Sequence, residues 1–275
     1  MKSCTMMFPQ GKCKALTLSY DDGVIHDKRL VDIMVKNGLK GTFNVNSGRF
    51  GKGSEYKLSA DEMKEIFLKN GMEIAVHGLY HRSLSDLPDG VQAYEVMKDR
   101  ENLEELTGGI VRGMAYAYGS YDDKSVETLK HSGIVYARTT VSTEKFDIPK
   151  DWLRLPATCH HRNPRLFDLA ESFINYSVTE AWRKRPQLFY LWGHSYEFND
   201  CNNWDVIEKF AEMTGGRDDV WYATNIEIYD YVTAYRSLVF NCKADVVYNP
   251  SSIGVWLYDN GKDFVVRAGE TVKLG

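Results

Sequence analysis

Between residue 14 and about residue 235, short apolar runs alternate with segments of helical period. That rhythm predicts repeated strand–helix units and not a sandwich of evenly spaced strands. A strand is expected at Ala15–Leu18, then a helix over Asp27–Asn37 that stops at Gly38, a common way for a helix to end. After a strand at Gly41–Val45, Ser59 and Glu62 stand at capping-box spacing and open a helix closing at Asn70-Gly71, ahead of the strand Met72–Val76. A long helix over Val91–Leu106 follows, then a strand at Val111–Ala117, a helix at Lys124–His131 ending at Gly133, and a strand at Ile134–Arg138. Later units are the strand Leu153–Ala157, a helix over Pro164–Tyr176, the strand Leu188–Trp192, a helix at Val206–Met213, the strand Trp221–Ala223 and a last helix at Ile226–Tyr235. From Asn241 the pattern changes to short alternation, with turns at Asn249-Pro250 and Asp259-Asn260-Gly261, and predicts a small β extension.

Six or seven such units predict an α/β fold with a parallel barrel, its working face at the carboxyl ends of the strands. The expected division is a barrel over residues 1–240 and a β tail over 241–275 packed on it. The chain has 275 residues, of which 43% are apolar, enough for a sizeable core. A formal charge of −4 without a basic stripe argues against a nucleic-acid partner. No stretch approaches a membrane-spanning helix, and the opening Met1–Pro9 lacks the apolar core of a signal peptide. Five scattered cysteines without a CxxC pair fit a reducing compartment, so a cytoplasmic location is expected.

The chemistry concentrates at predicted strand ends. Ser19-Tyr20-Asp21-Asp22-Gly23 follows the first strand, and His77-Gly78-Leu79-Tyr80-His81 follows the third. Adjacent carboxylates repel unless a cation or a pKa shift relieves them. One Asp with both His would give a catalytic divalent ion three ligands and leave a position open, while the other Asp serves as base. Taken singly, Asp-Asp-Gly is also an ordinary turn, and each histidine an ordinary core or surface residue. His194, after Tyr190-Leu191-Trp192-Gly193, is suited to protonate a leaving group.

In order, Ser19–Gly23, His77–His81, Tyr116-Ala117-Tyr118-Gly119 and a late strand ending in His194 resemble the polysaccharide deacetylase family, the NodB-homology domain, over roughly residues 14–235. The resemblance implies a distorted (β/α) barrel of about seven parallel strands that removes acetyl groups from N- or O-acetylated saccharides. It places Asp21 as the catalytic base, Asp22, His77 and His81 as metal ligands, the backbone N–H of Tyr118 at the oxyanion and His194 as the acid. One divalent ion is expected, zinc first, with cobalt, manganese and nickel as alternatives.

Two departures stand out. The family's third motif usually reads Arg-x-Pro-x-Gly, its arginine bonding the catalytic aspartate, whereas this chain has Ala115, Ala117 and Gly119. Arg138, from a neighbouring unit, is the candidate replacement. Gly78 stands where the family often has Ser or Thr. Of weaker candidates, one of His160 and His161 is expected to point into the site. Glu197, ahead of Asp205, is expected to orient His194. Trp192 and Tyr196 offer an apolar platform, and His26 reads as a helix-start residue. Alternatives are a hydrolase of a non-sugar amide or cyclic ureide or imide, and a non-catalytic carbohydrate-binding relative. The expected partner is an acetylated saccharide or related small amide.

Overall fold

The computed structural model describes residues 4–50, 56–177, 184–259 and 261–274. Its strands and helices run β1 (Thr5–Met7), β2 (Lys14–Asp21), α1 (Asp27–Lys36), β3 (Gly41–Val45), α2 (Ala60–Ile66), β4 (Glu73–Val76), α3 (Asp89–Thr107), β5 (Gly113–Ala115), α4 (Asp123–His131), β6 (Tyr136–Ser142), β7 (Leu155–Ala157) and β8 (Cys159–His160). Then come α5 (Leu166–Ile174), β9 (Gln187–Gly193), α6 (Ser195–Asp200), α7 (Asp205–Thr214), β10 (Val220–Tyr222), α8 (Asn225–Arg236), β11 (Val239–Phe240), β12 (Val246–Tyr248), β13 (Val255–Asp259), β14 (Lys262–Val266) and β15 (Thr271–Lys273).

A parallel sheet runs in the order β7-β6-β5-β4-β3-β2-β9-β8. Its two outer strands are halves of one chain segment, interrupted only at Thr158, so the sheet closes on itself as a seven-stave barrel. At that break the Thr158 N–H donates to the Tyr190 carbonyl (2.9 Å), and its hydroxyl oxygen accepts the Tyr190 N–H (3.0 Å). The barrel is distorted at β2, which pairs with β9 on one edge and shares its other edge between two strands. There β10 lies along Lys14–Leu16 and β3 along Leu18–Asp21.

Alternation along the staves separates two environments. Leu16, Leu18 and Tyr20 of β2 pack outward against Leu30, Val31 and Met34 of α1. The intervening Thr17, Ser19 and Asp21 join a polar interior. The barrel floor is plugged by the start of α8, where Thr224 closes a capping box with Glu227. Asn225 there accepts from the Thr17 hydroxyl (2.9 Å) and donates to the Tyr190 hydroxyl (2.7 Å). Glu73 accepts from Thr42 (2.8 Å), Tyr136 (2.7 Å) and the Ile226 N–H (2.9 Å).

Several boundaries move for local reasons. β6 begins at Tyr136 and runs on to Ser142, since the β-branched Thr139, Thr140 and Val141 favour extended backbone. The helix after Ser59 ends at Ile66, and a separate 3₁₀ turn, Leu68–Asn70, leads to the left-handed Gly71. Short α6, directly after His194, has no counterpart in the sequence-based expectation. Neither does β1, which pairs antiparallel with β13 and draws the amino-terminal strand into a sheet with residues 255–266. A second small sheet has the order β11-β12-β15. Of the two expected turns, Asn260 lies outside the described residues, and Asn249 is buried with its side chain donating to the Ile253 and Val266 carbonyls (2.8 and 2.9 Å).

Candidate active site

β2 and β4 end side by side through β3, and this brings the two sequence motifs together at the carboxyl mouth of the barrel. Past Asp21 the backbone turns sharply, with Asp22 and Gly23 both at positive φ (84° and 59°). His81 and Tyr118 share the left-handed region (57° and 58°). Such non-glycine residues cost roughly 1–3 kcal/mol each and collect where a site dictates the geometry.

His77 is buried, and its Nδ1 contacts the Ala115 carbonyl at 2.8 Å. A carbonyl only accepts, so Nδ1 carries a proton and Nε2 is the ring nitrogen left to face the mouth. That buried Nε2 has no hydrogen-bond partner among the described residues. Burial, followed by the neighbouring His77, pushes His81 down to about 4, so it is neutral at pH 7. Its Nε2 lies 3.6 Å from Asp22 Oδ1. Donor atoms of Asp22, His77 and His81 all fall within 4.8 Å of one another. A carboxylate, a neutral imidazole and an unpartnered imidazole nitrogen fit a divalent ion of the zinc class. Lys57 stands beside them, its ammonium donating to the Asp22 carbonyl (2.6 Å) at 3.7 Å from Asp22 Oδ1.

Asp21 is 3% exposed and fully engaged. Asn44 Nδ2 donates to Oδ1 (2.9 Å), and the Arg138 guanidinium donates to Oδ2. Burial alone would raise this carboxyl, but Arg138, His77 and His194 outweigh it and hold it at about 2. Arg138 is the register partner of Ala115 across β5 and β6. Its guanidinium therefore enters from the neighbouring stave at the height of the missing third-motif arginine. Its carbon lies 4.3 Å from the Trp192 ring centroid, so Trp192, 8% exposed, backs the arginine and has no open face for a sugar.

Across the mouth, His194 Nε2 is 3.9 Å from Asp21 Oδ2, and its Nδ1 is 3.4 Å from Glu197 Oε2. Burial presses against a charged imidazole, but Glu197, Asp21 and Asp22 outweigh it and raise His194 above its ordinary value. Glu197 is the acid that faces this histidine, and Asp205 begins α7. Both His160 and His161 turn toward Glu197, at 3.1 and 3.0 Å from its Oε2. Tyr196 lies 5.1 Å from His194, ring to ring, and His26 precedes α1 as expected. Tyr118 is 71% exposed, with its ring edge-on to His81 at 4.4 Å.

Asn44 and Asp99 escaped the sequence-based expectation. Asp99, on α3, accepts the backbone N–H groups of Ser47 (2.7 Å) and His77 (3.1 Å), and burial raises its carboxyl to about 7. Asn44 left a signal, because Thr42 and Asn44 alternate with Phe43 and Val45, which is a polar stripe facing a barrel interior. Asp99 left none, being one acid among many on a charged helix.

The sequence profile of the polysaccharide deacetylase family matches residues 9–137. The chitin deacetylase of Arthroderma benhamiae is 33% identical over 121 residues, which make up 42% of this chain and 32% of that protein. The chain thus spans about a third of the length of this curated relative. Among solved structures, a Mycobacterium smegmatis protein regarded as a polysaccharide deacetylase matches with TM-score 0.64 and 18% identity, over 86% of this chain and 96% of that one. The family 4 carbohydrate esterase from Streptomyces lividans, in complex with acetate, matches with TM-score 0.50 and 14% identity, over 77% and 93%. At these identities the likeness is one of fold.

Proposed function

From the match of residues 9–137 to the polysaccharide deacetylase family, we propose that this chain is a metal-dependent hydrolase removing acetyl groups from an N- or O-acetylated saccharide. The observation that carries this reading is the ionised, doubly anchored Asp21, set between a three-donor metal cradle and His194 at one barrel mouth.

Asp22, His77 and His81 would hold the ion, zinc before cobalt, manganese or nickel; when bound it polarises the acetyl carbonyl and makes a water more acidic. Asp21 accepts the proton of the attacking water. At about 2 its carboxyl is ionised throughout the neutral range, and Asn44 with Arg138 fixes which oxygen edge faces the mouth. A carboxylate this acidic is a weak base, so its value lies in position and constant charge. His194 faces Glu197 through Nδ1, which leaves Nε2 on the side of Asp21 and the mouth. Its raised pKa keeps a larger protonated fraction near neutrality, and from Nε2 that proton passes to the leaving nitrogen or oxygen. The Tyr118 N–H, presented by a left-handed residue at the rim, is the proposed donor to the developing oxyanion. A reducing, cytoplasmic setting belongs to the same proposal and is supported by the scattered cysteines.

Acetate release from a panel of N- and O-acetylated mono- and oligosaccharides, with Asp22→Ala as the blank, tests the substrate class. Acetate from at least one saccharide, lost by two or more orders of magnitude in Asp22→Ala, is the expected result. Cleavage of simple amides or cyclic imides without acetate from any sugar would overturn the saccharide assignment.

A further inference from the structure

A second group of donors lies on the opposite side of His194 from the first. His160 Nε2 is 3.1 Å from Glu197 Oε2, His161 Nε2 is 3.0 Å from the same oxygen, and His194 Nδ1 is 3.4 Å from it. Donor atoms of His160, His161 and Glu197 lie within 4.8 Å of one another. Three imidazole nitrogens thus crowd one carboxylate oxygen, which has two lone pairs to offer. Despite the short distances, Glu197 Oε2, His161 Nε2 and His194 Nδ1 each lack a hydrogen-bond partner of acceptable geometry among the described residues. Ligands of one small cation show this pattern: for bonds of about 2.0–2.1 Å, tetrahedral donors sit roughly 3.3–3.4 Å apart, aimed at a shared centre and not at each other.

His161 carries the argument further. It is 2% exposed, and both ring nitrogens lack a hydrogen-bond partner among the described residues. Its ring is clamped between Phe198 (4.1 Å) and Tyr20 (5.8 Å). It occupies the space beside Gly193, where an added Cβ would come within 2.1 Å of Nδ1. A buried, aligned and uncommitted imidazole is costly unless something binds it. We propose that His160, His161 and Glu197 form a second divalent-cation site of the zinc class, with His194 at its open edge. It rests on its own donors and goes beyond the catalytic reading of the first site.

The remaining polar contacts define its cost. Arg162 donates through its guanidinium to Glu197 (3.4 Å) and is largely exposed, so its charge is well solvated. The Arg162 N–H also donates to His160 Nδ1 (3.1 Å), which places the proton of free His160 on Nε2, facing Glu197. Loading the site requires the other tautomer of His160 and gives up that one exposed hydrogen bond.

The test is metal content after dialysis against zinc, and separately cobalt, for the chelator-stripped wild-type chain, His160→Ala, Glu197→Gln and Asp22→Asn, with thermal melts to confirm folding. His160 is partly exposed, so His160→Ala keeps the test open if Glu197→Gln fails to fold. Two equivalents in wild type, one in His160→Ala and one in Asp22→Asn support the proposal. One equivalent in wild type that survives His160→Ala overturns it and leaves a hydrogen-bonded cluster. A second equivalent that neither His160→Ala nor Glu197→Gln removes is held elsewhere and also overturns it. Loss of the Asp22→Asn effect alone would fault the first site and not this one.

Discussion

Asp21 and Arg138 are the residue pair on which the site turns, and both are nearly inaccessible to water. Removing one partner of a buried pair strands a charge and typically costs about 3–5 kcal/mol. Arg138→Met is therefore expected to lower thermal stability markedly and to reduce turnover by at least about 100-fold, because Asp21 loses both its counter-charge and its orientation. Arg138→Lys should recover part of both; a variant within a few-fold of wild type would show that Asn44 alone suffices. Tyr118 predicts the opposite behaviour. If its N–H is what matters, Tyr118→Gly relieves a left-handed non-glycine residue at a largely exposed position and should keep activity within a few-fold, with stability unchanged or raised by roughly 1 kcal/mol. At this scale the carboxylates and the strand-end histidines were legible, since strand ends expose chemistry. The anchoring of Asp21 by Asn44 was hidden in an ordinary strand pattern, and Arg138 was visible only as the candidate for a missing neighbour.

Among the elements, α8 does unusual work as a plug. Its first turn supplies the Ile226 N–H to Glu73, whose carboxyl burial raises to about 7 against the hydrogen bonds it accepts. An acid whose folded pKa lies above its ordinary 4.5 contributes stability that is complete below 4.5 and is lost as pH rises through about 7. The wild-type melting temperature should fall between pH 5 and 8, with up to roughly 1.4 kcal/mol of stability lost for each tenfold drop in proton concentration until the folded carboxyl ionises. In Glu73→Gln, whose amide donates to Tyr136 and accepts from Ile226, that slope should flatten, as melts across this range will show; an unchanged slope would mean that Glu73 is ionised in the folded chain. The capping box of Thr224 and Glu227 emerged only in the structure, whereas the sequence announced the helix after Ser59 through its cap and the strands through apolar runs. It concealed the single stave split into β7 and β8, because two- and three-residue strands carry no period, and it concealed β1, which pairs with a strand near the other end of the chain.

The whole molecule is a closed barrel beside which the amino-terminal strand β1 is tied to β13 near the other end of the chain. The Tyr231 hydroxyl donates to the Met7 carbonyl (2.6 Å) and accepts the Trp256 N–H (2.9 Å), and Val255, Leu257 and Val266 pack against Ala234 of α8. A chain ending at Phe240 should therefore melt at a clearly lower temperature or aggregate, since it strands β1 and uncovers the back of α8; a melt equal to the full chain would make the tail an independent appendage. The alternation of strands and helices made the barrel legible, whereas its closure depends on a register that no local pattern encodes. The proposed metal-dependent deacetylating centre at this mouth is tested by acetate release from an N-acetylated saccharide with chelator-stripped protein, before and after zinc is restored. Stripping is expected to lower the rate by at least about 100-fold and zinc to restore it, with Asp22→Ala inactive under every condition. Undiminished acetate release from the stripped protein would contradict it.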